Sequence, residues 1–241
     1  MRQLYKAITI KNQVFRQICQ LDSYNGAMRT YGQYCAVAKA LDLVGDRWTL
    51  LVVRELLARG PCRYTDLRNG LPGIATNLLA DRLRDLEQAG VVSREEAPPP
   101  VATTLFSLTS RGEELAPVLR ELLRWGMPLM QQGPAPDDVF RAQWMAWPAT
   151  MRLTDREPDA PPVTIQVLAD GEPAFLETSG GGVHLTVGRA DHPDAVLRGP
   201  ARVVLGLLTG QIDLDAAAAA GLECEGDRVA LERVLPDAVA V

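Results

Sequence analysis

Apolar residues recur along this chain first at helical spacing and later in alternation, and the change of period divides it. Residues 36–44 (AVAKALDLV) carry apolar side chains three and four apart, which predicts an amphipathic helix. Residues 47–58 (RWTLLVVRELLA) are apolar enough on one face to predict the central helix of a core, ended by Gly60-Pro61. A short polar helix is expected at 64–68. Leu71-Pro72-Gly73 follows as a turn in which Pro sets φ and Gly permits φ > 0. Residues 76–89 (TNLLADRLRDLEQA) predict another helix, closed by Gly90. Leu78, Leu79, Leu83 and Leu86 form its apolar stripe and leave Asn77, Asp81, Arg82 and Arg84 on the other face. Two strands at 91–94 and 104–108 flank a proline-rich tip. Residues 113–125 then return to a helical stripe through Leu115, Leu119, Leu122 and Leu123.

This order of helices, turn and ribbon is that of a winged helix-turn-helix. A helix that is apolar within, and short-polar or arginine-bearing without, suits the major groove of DNA. The same residues resemble the HxlR-type transcriptional regulators of bacteria. The likeness lies in Cys35-Ala36-Val37-Ala38, Gly45-Asp46-Arg47-Trp48-Thr49-Leu50-Leu51, Arg54-Glu55-Leu56 and Tyr64-Thr65-Asp66-Leu67. It continues through Leu71-Pro72-Gly73-Ile74, Leu83-Arg84-Asp85-Leu86-Glu87, Gly90-Val91-Val92 and Leu108-Thr109-Ser110-Arg111-Gly112.

The resemblance implies a homodimer on an inverted-repeat operator in double-stranded DNA, in which the 113–125 helix packs with the partner's first helix. Thr76, Asn77 and Arg82 are expected to meet base edges or phosphates, with Arg63, Arg68, Ala75 and Arg84 as contact residues beside them. Arg94, Thr103 and Thr104 are expected to bring the wing to the backbone or minor groove. Family members often carry Ser where Ala75 opens the reading helix, so Thr76 is expected to cap it instead. Cys35 stands where several such regulators carry a redox-reactive cysteine, and a helix N-terminus favours the thiolate.

Gly133-Pro134-Ala135-Pro136 reads as a linker, and the pattern beyond it differs. A helix is expected at 137–147. Strands follow at 163–169, 173–178, 183–188 and 195–198, with turns at Asp170-Gly171 and Gly180-Gly181-Gly182. Pro200 and Gly210 bound a helix, a second is expected at 214–220, a strand at 222–225 and a last helix at 227–235.

This order resembles the sterol-carrier-protein-like fold, a mostly antiparallel sheet covered by helices. The matching residues are Asp170-Gly171, 205–210, 218–221 and Glu225-Gly226-Asp227 with Leu231. The resemblance implies a hydrophobic small-molecule ligand, for which Trp144, Trp147, Phe175, Leu205 and Leu208 are the candidate lining. The plain reading of the same five residues is core, the commoner role of apolar side chains in a helix-covered sheet. The fold class is therefore α+β. Its parts are an extraneous leader or N-terminal arm at 1–27, a winged helix at 28–130, a linker at 131–136 and a sterol-carrier-like domain at 137–241.

Charge and composition change the picture in three places. The net charge of −5 conceals a winged helix with thirteen basic and twelve acidic residues, while 131–241 holds eight basic against seventeen acidic. DNA affinity must then come from local clustering of arginine, and the acidic half suits a neutral rather than an anionic ligand. Residues 1–27 hold two of the three lysines and three of the six isoleucines, which sets them apart from the rest. The four cysteines form no CxxC pair, so neither a zinc site nor a disulfide framework is expected, and no signal peptide or membrane span is read.

Catalysis finds little support. His184 and His192 lack metal-ligand spacing, no G-x-S-x-G elbow occurs, and no Lys or helix follows the three glycines to make a phosphate loop. The expectation is a cytoplasmic transcriptional repressor without cofactor or metal, released by a hydrophobic ligand. The alternatives are a thiol-based redox sensor using Cys35, or a lipid carrier or interaction protein that does not bind DNA.

Overall fold

The computed structural model describes residues 30–97, 103–130, 134–135 and 137–237, apart from the side chains of 148–150. The expected leader, the tip of the wing and most of the linker lie outside the described residues.

In the N-terminal domain the helices are α1 (Ala36–Val44), α2 (Thr49–Arg59), α3 (Tyr64–Gly70), α4 (Thr76–Gln88), α5 (Ser110–Glu113) and α6 (Ala116–Gly126). The strands are β1 (Cys62–Arg63), β2 (Val92–Glu96) and β3 (Thr104–Leu108), in the antiparallel order β1-β3-β2. Val52, Val53 and Leu56 of α2 are buried with Leu67, Leu71, Leu79, Leu83, Leu86 and Phe106, so α2 is the core helix its apolar face predicts.

Three local departures have physical causes. Helix α2 starts at Thr49 rather than 47 because Trp48 sits at φ +79°, outside helical space. The 113–125 helix is split: the Thr109 hydroxyl accepts the Gly112 N–H to cap a first turn, and a proline at the start of α6 opens a second helix. Strand β1 is two residues long, too short to show alternation in sequence.

The C-terminal domain is a five-stranded sheet of β4 (Thr164–Ala169), β5 (Glu172–Ser179), β6 (Gly182–Val187), β7 (Ala195–Gly199) and β8 (Glu223–Gly226), in the order β6-β5-β4-β7-β8. Only the central pair β4–β7 is parallel. Asp170 and Gly171 both adopt φ > 0, as do Gly180 and Gly181, which is what two-residue hairpin turns require. One face of the sheet, including Ile165, Val167, Leu176 and Leu197, packs against α8 (Ala201–Leu208) and α10 (Arg228–Val234), with α9 (Leu214–Ala219) beside them.

The buried Arg233 guanidinium donates to both oxygens of Asp155 at 2.7 and 2.9 Å and to the carbonyls of Pro161 and Glu157, tying α10 to the irregular segment that leads into β4. That hydrogen bonding holds the Asp155 carboxyl below its ordinary value.

The helix expected at 137–147 does not form. Asp138 accepts the backbone N–H of Ala135 at 2.7 Å in a local turn, Arg141 is extended, and a 3₁₀ turn at Ala142–Met145 leads into α7 (Ala146–Arg152). No helix among the described residues is long and apolar enough to cross a membrane.

Candidate nucleic-acid interface

Helix α4 has two sharply different faces. Leu79, Leu83 and Leu86 are buried, while Thr76, Asn77, Asp81, Arg84, Glu87 and Gln88 face water. Its N-cap is Ala75, in extended conformation and without a side-chain acceptor; Thr76 is the first helical residue and does not cap. That corrects the expectation for Thr76. The first backbone N–H groups of α4 are consequently left without side-chain partners, the arrangement that favours an anion. Tyr64, at the start of α3, donates its hydroxyl to the Thr76 carbonyl at 2.6 Å and so ties the two helix starts together.

The ten expected contact residues fall into separate groups. Thr76 and Asn77 sit together at the exposed start of α4, beside Ala75. Arg84 and Arg94 line one open cleft of about 210 Å³ between α4 and the wing, with Tyr64, Ala80 and Phe106 as its other main walls. Each arginine is paired on the surface, Arg84 with Asp81 at 2.8 Å and Arg94 with Glu87 at 4.0 Å. Exposed pairs of this kind contribute about 0–1 kcal/mol, so a phosphate can take either guanidinium at small cost.

Arg63 and Arg68 are exposed on the β1–α3 side. Thr104 is engaged within the wing, donating its hydroxyl to Glu96 at 2.7 Å, and Thr103 accepts the Ala97 N–H across the ribbon at 2.8 Å.

Arg82 departs from the group. Its guanidinium is drawn back against the domain, 2.9 Å from Asp46 and 2.8 Å from Asp85, with its Nε buried and lacking a hydrogen-bond partner. It clamps α4 to the Gly45–Trp48 turn. Asp46 and Tyr64 were passed over in the sequence as site residues, although both lie inside the quoted motifs.

The three described thiols differ. Cys35 is exposed at the start of α1, and the backbone N–H groups of Ala38 and Val37 pull its thiol below the ordinary value. Burial pushes Cys62 up to about 11, and burial also raises Cys224. The candidate ligand residues do not converge. Leu208 is buried in the C-terminal core with Leu205 packed against it, Phe175 pairs with Gln166 on the sheet face opposite Leu176, and Trp144 reaches the N-terminal domain. Trp147 is half-buried on α7. A second open hollow, of about 230 Å³, is lined by Arg156, Leu207, Asp213, Arg228 and Glu232 and lies at the α9–α10 side. Among the described residues no group of three or more His, Cys, Asp and Glu is placed to hold a metal ion.

The profile of the HxlR-like helix-turn-helix family matches residues 43–134. YvaP of Bacillus subtilis, named an uncharacterized HTH-type transcriptional regulator, is 38% identical over 87 residues, covering 36% of this chain and 80% of the relative. A second such regulator, sll1512 of Synechocystis, is 37% identical over 101 residues, covering 42% of this chain and 74% of the relative. The solved structure of the reduced form of the transcriptional regulator YodB from B. subtilis is 30% identical, covers 42% of this chain and 100% of that chain, and has a TM-score of 0.37. With its helix-turn-helix geometry and relatives matched over most of their length, the chain belongs to the HxlR-like helix-turn-helix family.

Proposed function

We infer that the protein is a DNA-binding transcriptional regulator that works as a homodimer on an inverted-repeat operator. The observation that carries this is α4: a buried leucine face fixes its orientation, while its uncapped start presents Thr76 and Asn77 beside the Arg84–Arg94 cleft. Helix dipole and backbone N–H groups meet a phosphate there, and the two short polar side chains reach base edges. Dimerisation is supported by α1 and α6, where Val37, Leu122 and Trp125 stand 67%, 44% and 73% exposed.

A mobility-shift series on DNA from upstream of its own gene, across salt concentrations, tests the reading. Binding is expected to weaken steeply with salt. Arg84→Ala should flatten the logarithmic slope by about one unit, the value for one lost phosphate contact. Arg82→Ala should instead lower the melting temperature, because it strips Asp46 and Asp85 of their common partner. Salt-independent binding, or an Arg84→Ala slope equal to wild type, counts against this placement of α4.

The proposed regulation is repression. Release by a neutral apolar ligand draws support from the sterol-carrier-like order of the C-terminal domain. The filling of its core by Val204, Leu207 and Leu208 favours a purely structural domain. Repeating the shift assay with a cell lipid extract separates the two, since only the first predicts release. A second reading, redox sensing, is favoured by the exposed, thiolate-prone Cys35. It requires that oxidant weaken DNA binding of the wild type and leave Cys35→Ala unaffected; equal responses would sink it.

A further inference from the structure

Glu55 lies on α2 and has no exposed surface. A carboxylate taken out of water is unfavourable unless donors surround it. Its donors come from both domains. On its own helix, Arg54 donates to Oε1 through Nη2 at 2.8 Å and Nε at 3.2 Å, and Arg59 Nε reaches Oε2 at 3.4 Å. From the C-terminal domain, Trp144 Nε1 donates to Oε1 at 2.7 Å and Gln143 Nε2 to Oε2 at 3.0 Å. The Arg54 guanidinium lies 4.5 Å from the centroid of the Trp144 ring, close enough for cation–π attraction.

Two further facts give this junction leverage. Gln143 and Trp144 belong to the 3₁₀ turn Ala142–Met145, whose other two residues are wholly buried in the C-terminal core. The turn therefore faces both domains and cannot shift without disturbing each. Gly70, the last residue of α3, is also buried against it: a Cβ there would overlap the Glu55 carboxylate and come within 3.3 Å of Gln143 Nε2. The first helix of the helix-turn-helix ends on the junction, and the turn into α4 follows at once.

We propose that the Glu55–Gln143–Trp144 junction is the coupling element through which the C-terminal domain holds the helix-turn-helix in its DNA-reading geometry, an inference that rests on the DNA-binding reading above. With both donors in place the carboxylate is satisfied in the position that Gly70 accommodates. Without them it is short of two hydrogen bonds and regains them by swinging toward water, away from Gly70, which loosens the end of α3. Any event that displaces the 142–145 turn then reaches α4 through Gly70. Glu55, Gln143 and Trp144 are positioning residues and touch no DNA themselves.

The test uses the full chain with Gln143→Ala and Trp144→Phe, singly and together; Phe keeps an aromatic ring beside Arg54 and loses the N–H donor together with the second ring of the indole. Wild type is expected to melt in one cooperative transition and the double variant in two. Affinity for upstream DNA should fall about tenfold with an unchanged salt slope, since the phosphate contacts are untouched. Gly70→Ala provides a test of sign. Helix propensity alone makes Ala stabilising there, whereas the junction predicts a divided melt and weaker binding.

One transition with wild-type affinity in both the double variant and Gly70→Ala overturns the proposal. A divided melt with unchanged affinity also overturns it, leaving a structural contact only. Should wild type bind no DNA, the DNA-binding reading fails by itself, and amide exchange across α3 and α4 still decides the junction. Faster exchange in the double variant sustains it and unchanged exchange overturns it.

Discussion

Replacing Leu122 and Trp125 together by Glu is expected to leave a folded monomer whose operator affinity falls about a hundredfold, the scale of avidity lost when two linked modules become one. No residue of α6 is buried, although the helix is strongly amphipathic and carries five large apolar side chains in its sequence APVLRELLRWG. Leu115 and Leu119 pack against the winged-helix core and are spared by the substitution. Leu122 and Trp125 are not part of that core, and Leu129 and Met130 extend the exposed patch at 72% and 56%. Two glutamates there disfavour a partner's apolar surface without opening a cavity in the monomer. A single recognition helix spans only a few base pairs, so a dimer placing two of them about 34 Å apart supplies the specificity. Light scattering at micromolar concentration and a shift assay read the two effects; a double variant that stays dimeric and binds normally removes α6 from the interface.

Leu83→Ala carries the second large effect, and it acts on folding. Leu83 is 3% exposed and packs with Leu79, Leu86, Val53 and Phe106. A buried Leu→Ala substitution costs about 2–5 kcal/mol, because the transfer energy is lost and the cavity collapses only partly. Against a domain stability of about 5–15 kcal/mol, that loss unfolds much of the population on mild heating. Asn77→Ala, on the exposed face of the same helix, should change stability by no more than about 0.5 kcal/mol while weakening DNA binding. Denaturant midpoints of the two variants measure the contrast, and an unchanged midpoint for Leu83→Ala would place the apolar stripe on the wrong face.

Legibility followed the range of the interactions involved. The leucine stripe of α4, the core face of α2 and the hairpin turns at Asp170-Gly171 and Gly180-Gly181 are local patterns, and they form within a residue or two of where periodicity puts them. Helical spacing alone puts Arg82 on the polar face of α4. Its actual direction depends on Asp46, 36 positions away in the chain, which no period encodes. The missing helix at 137–147 is instead a local failure: Asp138 reads as a cap for a helix after it, but its carboxylate turns back to the N–H of Ala135, three positions earlier. The five expected pocket residues illustrate the same limit. Alternation places Phe175 and Leu176 on opposite faces of β5, yet which face the helices cover is decided by packing.

Periodicity, turn residues and motif spacing by themselves determined the helices and turn of the helix-turn-helix, the apolar stripe of α4 and the places of the C-terminal strands along the chain. Each of these depends on neighbours within a turn or a hairpin. Only the tertiary structure decided that Arg82 is a clamp, that Arg84 and Arg94 share a cleft, and that Glu55 is buried against Gln143 and Trp144. Those pairings join residues up to 89 positions apart. A charged side chain looks the same in sequence whether it faces water, a phosphate or a buried partner, and the energy that chooses among them exists only once the two domains have packed.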